Sequence, residues 1–472
     1  MTPGRGAMNN GTDGKLRTGR RQAVPMSFML TPIPKALWLV AALAGLAILL
    51  LVAPQGASQG DSPAPAAAPV PRAAQSRYPV ALTIPAAPKD PFIPVPAYLV
   101  PTHYAATGTT LIRISDQAAF GVGARVLKHD YARRAAWNAD GSRLMLVRPH
   151  PVRILDASDF AHSETHEAPA DALWSATDPD LLYGVADRNV LVRYSVSTRR
   201  MDVIKVFEGY SQLDIGGGEG VQSNDDRYVV LIGRRPGGVD VIAYDLVGDR
   251  ASDNGGRLRF DGFAAPNGDI DWAGISPSGD YIVVKVHREA RAEMGFDIYD
   301  RRTLAFLRRL LPGSEAHADI GFDQAGHEVL VSMAAGSSAI VSARLADGFV
   351  RQELPAAVVS YNNHVSCRNV RRPGWCYVST YSDPGGRSAR LYRGIFSVRL
   401  DGSGLVERYA PAFFAQDPVD LAYERQAWAV PSPRGDQVLF GSDWGDASAQ
   451  AVVHAYVAGV ATGTRGSAVA GR

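Results

Sequence analysis

Two histidines and a glutamine stand at matching distances ahead of turn residues in the second half of the chain. His317 lies nine residues before Gly326, His364 ten before Gly374, and Gln426 nine before Gly435. Imidazole nitrogens joined by an amide oxygen are donors that Mn or Zn accepts, so these three are candidate metal ligands. The other reading is that each histidine caps its own segment by bonding a neighbouring backbone group. Arg133 and Asp271 each lie eight residues before a turn glycine, Gly141 and Gly279, and add a cation and a carboxylate at nearly the same offset. With Trp444, which follows the last turn in Ser442-Asp443-Trp444-Gly445-Asp446 and offers an aromatic face to a groove, they are the candidate ligand-binding residues. No complete catalytic set is visible. Cys367 and Cys376, the two cysteines of the chain, sit nine apart on the arms of one turn. They are a disulfide candidate, with two buried free thiols as the alternative.

Equal offsets place residues together only if the turns belong to copies of one unit. Such a unit is present. In Asp271–Val286 an apolar stretch with Trp272 runs into Ser276-Pro277-Ser278-Gly279 and leaves through the alternating Tyr281-Ile282-Val283-Val284. Proline sets φ, the serine hydroxyl supplies a local acceptor, and glycine takes the positive φ, so the unit is a hairpin. Six further copies turn at Gly141, Asp180, Asp226, Gly326, Gly374 and Gly435, giving intervals of 39 to 61 residues. Those are blade lengths for a four-stranded propeller repeat. Third and fourth strands follow most hairpins, as in Val190–Tyr194 and Val203–Phe207. The last copy has three strands before its Gly- and Ala-rich tail. An early strand, Thr109–Ile114 or Arg125–Leu127, would complete it and close the ring. Residues heading the first strand of each blade then gather at one channel mouth. Trp137, Trp174, Trp272 and Trp428, spaced by the repeat, are expected to pack between blades.

The hairpins Ser276-Pro277-Ser278-Gly279 and Ser432-Pro433-Arg434-Gly435, each followed by alternating apolar residues, resemble the TolB-like propeller repeat over about residues 100–459. The grouping of His317, His364 and Gln426 is similar to oligogalacturonate lyases, seven-bladed propellers in which His and Gln from late blades bind a divalent cation and a His acts as base in β-elimination. That resemblance implies that these three residues are the ligands. The chain departs from it at Ala427-Trp428-Ala429-Val430, where those lyases carry a further pair of histidines. It also lacks the Gly-His and terminal Trp-Asp pair of the Trp-Asp repeat family.

The N-terminus speaks to location. Residues 1–35, rich in Gly, Arg and Asn, read as a disordered cytoplasmic segment. Residues 36–53 carry no charge between Pro34 and Pro54 and, as a helix, would span about 27 Å, close to the hydrocarbon thickness of a bilayer. Arg17, Arg20, Arg21 and Lys35 precede this segment and no cation follows before Arg72, which orients the remainder outward. A cleaved signal peptide is the rival reading, against which the apolar run is long. Residues 54–101 are Pro- and Ala-rich and read as an extended spacer, residues 102–459 as the propeller and 460–472 as a disordered tail. The net charge of +2 gives no footprint for nucleic acid.

The sequence thus predicts an all-β seven-bladed β-propeller behind one transmembrane helix, in the cytoplasmic membrane and facing the periplasm or exterior. It acts as a module that binds a protein or carbohydrate ligand. No cofactor is expected; the alternative is a metal-dependent polysaccharide lyase or hydrolase using a divalent ion such as Mn or Zn at the channel mouth.

Overall fold

Serine and glycine set each hairpin where the sequence places it. In the Ser276–Gly279 turn, Gly279 has φ +82° and its N–H donates to Ser276 O at 2.9 Å, while the Ser276 hydroxyl accepts from Tyr281 N at 3.1 Å. A Cβ on Gly279 would stand 2.6 Å from the Tyr228 ring of the preceding blade, so the turn needs glycine for packing as well as for φ. Ser432 and Gly435 repeat the pattern at 2.8 Å. Asp226 takes the glycine position at φ +63°, its carboxylate accepting from the hydroxyls of Ser175 and Tyr183 at 2.6 and 2.9 Å.

The computed structural model describes residues 82–83 and 92–460, apart from 170, 219, 252–255, 266–267, 288–293, 315–316, 360–362, 381–390, 392–393 and 414–422. Its strands form seven sheets in chain order around a ring, antiparallel except for one short pairing in the last. Blade 1 is Arg143–Leu146, Val152–Asp156 and Ser163–His166, with its innermost strand reduced to a single bridge between Trp137 and Leu144. The inner strands of blades 2 to 7 are Leu173–Trp174, Gln212–Ile215, Ile270–Ile275, Ala318–Phe322, Asn363–Ser366 and Val430–Pro431. Blade 7 continues with Gln437–Ser442 and Val453–Gly459 and is completed by Thr109–Arg113, Ile112 lying opposite Val457. Val126–Leu127 also pairs with the strand Val453–Gly459, in parallel, so both early segments meet the last one.

The core lies between blades. Buried Val, Ile and Leu from one sheet face the next, as where Val230, Ile232 and Val241 of blade 3 pack on Ile275, Ile282 and Val284 of blade 4. Trp174 of blade 2 donates its indole N–H to Ala136 O across the seam with blade 1 at 3.0 Å. The glycine run Gly216–Gly218 follows from such a seam: a Cβ on Gly216 would come 2.1 Å from Ala273 O of blade 4.

Two expectations are corrected. The spacer does not extend to residue 101: Leu82–Thr83 adds a fifth strand to blade 6 by pairing with Val406 and Leu405. Phe92 lies edge-to-face on Phe413 at 5.5 Å, and Tyr98 bridges to Arg113 of blade 7. The Pro-rich composition hid two apolar residues, Phe92 and Ile93, that dock against blade 7. Trp444 does not face a groove. It is 3% exposed, stacked on Tyr456 at 4.6 Å, and its indole N–H donates to Ile93 O at 2.9 Å, beneath the same segment. Among the described residues no helix is long and apolar enough to cross a membrane; residues 1–70, including the apolar run 36–53, lie outside them, as do 461–472.

Candidate functional site

The loop from Lys128 to Arg134, between the ring-closing segment and the first hairpin, occupies the channel mouth. Its backbone is tied to blade 1 by Val147 N donating to Lys128 O at 3.1 Å, and it turns sharply where Arg134 N donates to Tyr131 O at 3.0 Å. Its side chains reach the surrounding blades. Arg134 donates to Asp171 O ahead of blade 2 and to Ile215 O of blade 3, at 2.7 and 3.3 Å. Arg133 donates to Ala318 O of blade 5 at 2.9 Å, with its guanidinium 4.2 Å from the Trp272 ring of blade 4. Lys128 donates to the carbonyls of Glu424 and Gln426 at 2.6 and 3.0 Å and lies 3.3 Å over the Trp428 ring, while His129 Nε2 donates to Trp428 O at 2.6 Å. Tyr131 serves blades 5 and 6.

His317, directly before the inner strand of blade 5, and His364, within that of blade 6, lie with ring centroids 4.2 Å apart and planes inclined by 36°. Both Nδ1 atoms point to one oxygen, the Tyr131 hydroxyl, at 2.8 and 3.1 Å. Nε2 of His364 meets Gln426 Oε1 at 2.6 Å. With the amide oxygen facing it, Nε2 of His364 carries the proton and its Nδ1 is bare. Tyr131 spends its one proton on that Nδ1 and accepts from His317 Nδ1–H and from the Tyr423 hydroxyl, the latter at 3.2 Å. The chain Gln426, His364, Tyr131, His317 therefore leaves a lone pair on His317 Nε2. Trp428 and Tyr423 wall the cluster, at 5.2 and 6.4 Å from the Tyr131 ring.

Burial keeps these imidazoles neutral. His317 is pushed down to about 3 by burial, with Arg133 and Lys285 adding to the effect. His364 is held well below its usual range by burial and then by His317. The same burial raises the Tyr131 hydroxyl and lowers the Lys128 ammonium, which Glu424, 3.8 Å away, partly offsets.

The candidate ligands do not fit a divalent cation in this arrangement. The point where the two Nδ1 atoms converge is filled by a phenol oxygen, and the other edge of His364 bonds the amide that would have been the third donor. In the neighbouring stretch Ala427–Val430, Trp428 is 1% exposed and packed beneath Lys128. No group of three His, Cys, Asp or Glu is placed to hold a metal among the described residues.

The structure thus brings His317, His364 and Gln426 together. Arg133 is placed with them but as a buried strut, 3% exposed, and not as a ligand-facing cation. Asp271 is partly buried and near enough to raise the hydroxyls of Tyr131 and Tyr423. Lys128, His129, Tyr131 and Tyr423 were missed because they lie outside the hairpins; the signal for the first three was the run Lys128-His129-Asp130-Tyr131-Ala132-Arg133-Arg134, charged and aromatic where no strand pattern requires it, and nothing comparable marks Tyr423. Cys367 and Cys376 are disulfide-linked, with Cα atoms 4.5 Å apart. The turn they brace reaches blade 7 through Arg371 N, which donates to Pro433 O at 2.8 Å.

No protein-family model matches the chain, and no curated protein matches it in sequence. Solved structures match it in fold. An oligogalacturonate lyase in complex with manganese is 14% identical at a TM-score of 0.54, covering 78% of this chain and 97% of that one. Oligogalacturonate lyase from Vibrio parahaemolyticus is 12% identical at 0.54, covering 77% and 96%. TolB from Acinetobacter baumannii matches more loosely, 17% identical at 0.34 over 62% and 66%. In fold, the chain is a seven-bladed β-propeller, similar over most of its length to the two oligogalacturonate lyases.

Proposed function

We propose that the protein is a ligand-binding propeller, held in the cytoplasmic membrane by residues 36–53 with its ring outside, and that ligand binds at the mouth framed by Tyr131, His317, His364, Tyr423 and Gln426. The observation that carries this reading is the Tyr131 hydroxyl between the two imidazoles. It fixes the floor of the mouth, holding the His317 ring and the Tyr423 hydroxyl in place before any ligand arrives. Tyr423, 46% exposed, supplies an aromatic face beside it, and His317 Nε2 supplies an acceptor. An aromatic plane next to positioned donors and acceptors suits a sugar, apolar on its ring face and hydroxylated at its rim. The Cys367–Cys376 bridge supports an oxidising compartment, in keeping with the charge asymmetry around residues 36–53.

A second reading, an enzyme at the same mouth, draws on the bare Nε2 of His317, which can accept a hydrogen bond from a ligand hydroxyl and would act as a base only where a bound ligand's charge raises it from about 3. Calorimetric titration of the purified protein with neutral and uronic oligosaccharides, with absorbance monitored for an unsaturated product, separates the two. Saturable binding without product supports the binder; product formation lost in His317→Ala supports the enzyme; no binding of any saccharide overturns both.

A further inference from the structure

A second concavity opens between blades 2 and 3, about 570 Å³ in volume, within the range of small-ligand pockets. Asp171 and Arg188 contribute from blade 2, and Ser211, Gln212 and Asp214 from the start of blade 3. Asp171 stands ahead of an inner strand, as His317 and Gln426 do, and Arg188 follows Leu181–Ala186 in the turn to the next strand, so the groove opens on the face that carries the histidine mouth. The link between the two is covalent and short. Arg134, whose guanidinium bonds the carbonyls of Asp171 and Ile215 beneath the groove, is three residues from Tyr131.

We infer that this groove is an outlying subsite for a neutral, hydroxyl-rich oligosaccharide whose other end sits at the Tyr131 and Tyr423 mouth. The inference rests on the binding reading above and extends it. The groove is built and held. Asp171 is pinned by Val185 N at 2.8 Å and Ile215 N at 3.4 Å, and the Arg188 backbone by Leu213 N donating to its carbonyl at 2.6 Å. Gly184 lets the Pro169–Asp171 turn close on blade 2, since a Cβ there would stand 2.4 Å from Pro169 Cβ. Its donors and acceptors alternate. Gln212 Nε2 donates to Asp214 at 3.0 Å, which leaves the Gln212 carbonyl and the remaining Asp214 lone pairs for hydroxyls. The Arg188 guanidinium is exposed and has no partner among the described residues. The Asp214 carboxylate and the Arg188 guanidinium match vicinal hydroxyls, and the half-buried Val185 gives an apolar edge for a pyranose ring. The charge decides the class. Asp171 and Asp214 bring two carboxylates; of the two nearby guanidiniums, Arg134 lies buried beneath the groove, committed to backbone carbonyls and lowering Asp171 against the burial that raises it, so Arg188 alone remains to meet a carboxylate carried on each sugar. The groove therefore selects against polyuronates.

The test is calorimetry of the full chain with neutral oligosaccharides from disaccharide to hexasaccharide, and with oligogalacturonates of the same lengths. Affinity for the neutral series is expected to rise with length until the groove is reached. Arg188→Ala and Gln212→Ala, both at the surface, should each lower affinity for the longer oligomers about tenfold and leave the disaccharide unchanged, whereas Tyr423→Ala weakens all. Asp214→Asn should narrow the gap between neutral and uronic oligomers. Length-independent affinity with silent groove variants overturns the subsite and leaves the mouth reading standing. Tighter binding of oligogalacturonates overturns the preference for neutral ligands. Absence of any saccharide binding overturns subsite and mouth together.

Discussion

The Tyr131 hydroxyl lies 2.8 Å from His317 Nδ1, a contact between residues 186 apart in the chain. The direction of the Tyr131 contacts with His364 and Tyr423 is linked to which of them holds the proton. Tyr131→Phe keeps the ring and removes the oxygen that both imidazoles share. We expect it to destabilise the fold by about 1–3 kcal/mol, the cost of unpairing buried polar groups, and to weaken ligand binding at the mouth. Chemical denaturation checks the first; an unchanged midpoint would remove Tyr131 from the centre of the network.

The same hydroxyl bears on metal. Because it occupies the point of convergence, manganese or zinc at micromolar concentration is expected to leave Tm unmoved, since a ligand that binds only the native state must raise it. A stoichiometric ion retained after dialysis, with a higher Tm, would contradict the assignment.

Acid should unfold the ring earlier than carboxylate titration alone implies. His454 is pushed down to about 4 by burial, with Arg113 adding to it and Asp116 opposing. His129 is pushed down to about 3 by burial, with Lys128 and Arg148 adding to it and its bond to Trp428 opposing. Above the unfolded value of about 6.5 both states are neutral and the two residues add no pH dependence. Below it the unfolded chain takes up protons that the folded one refuses, so stability falls from about pH 6.5 toward pH 4 and 3. Tm measured against pH should slope less steeply over that window in the double variant His129→Gln, His454→Gln. An identical slope would show that other groups carry the effect.

Reduction should loosen blade 6. Breaking the bridge between Cys367 and Cys376, nine apart in sequence, removes about 2–3 kcal/mol by loop-closure reasoning. The thermal midpoint is expected to drop in reductant and in Cys376→Ser alike. A midpoint insensitive to both would mean that the Arg371 to Pro433 contact holds the turn unaided.

How much of this was readable beforehand divides by residue. The hairpins were readable because Ser276, Pro277 and Gly279 each act on their own backbone within four residues, and local chemistry survives in a linear string. The meeting of His317, His364 and Gln426 was readable because equal offsets in a repeat become neighbours once the ring closes. Tyr131 was not. It belongs to no repeat, and nothing in a repeat says what crosses its centre. Arg133 and Trp444 show the complementary limit: offset identified their place in a blade, but burial beneath Trp272 and beneath Ile93 depends on long-range packing.

The N-terminal segment is expected to be structural where it crosses blade 7. Removing residues up to Tyr98 strips Phe92 and Ile93 from Phe413 and Trp444 and should lower Tm while shifting Trp444 fluorescence toward the red. No change in either would return the segment to the role of a passive tether.

Blade 7 joins Thr109–Arg113 to Val453–Gly459, so the earliest complete strand of the ring waits for the latest. During synthesis, blades can form one after another, but the early hairpin of Thr102–Tyr104 with Thr109–Arg113 keeps its second edge open until Val453–Gly459 has emerged. Ring closure is thus the last step of folding, and loss of Val453–Gly459 leaves two raw sheet edges rather than a slightly smaller ring.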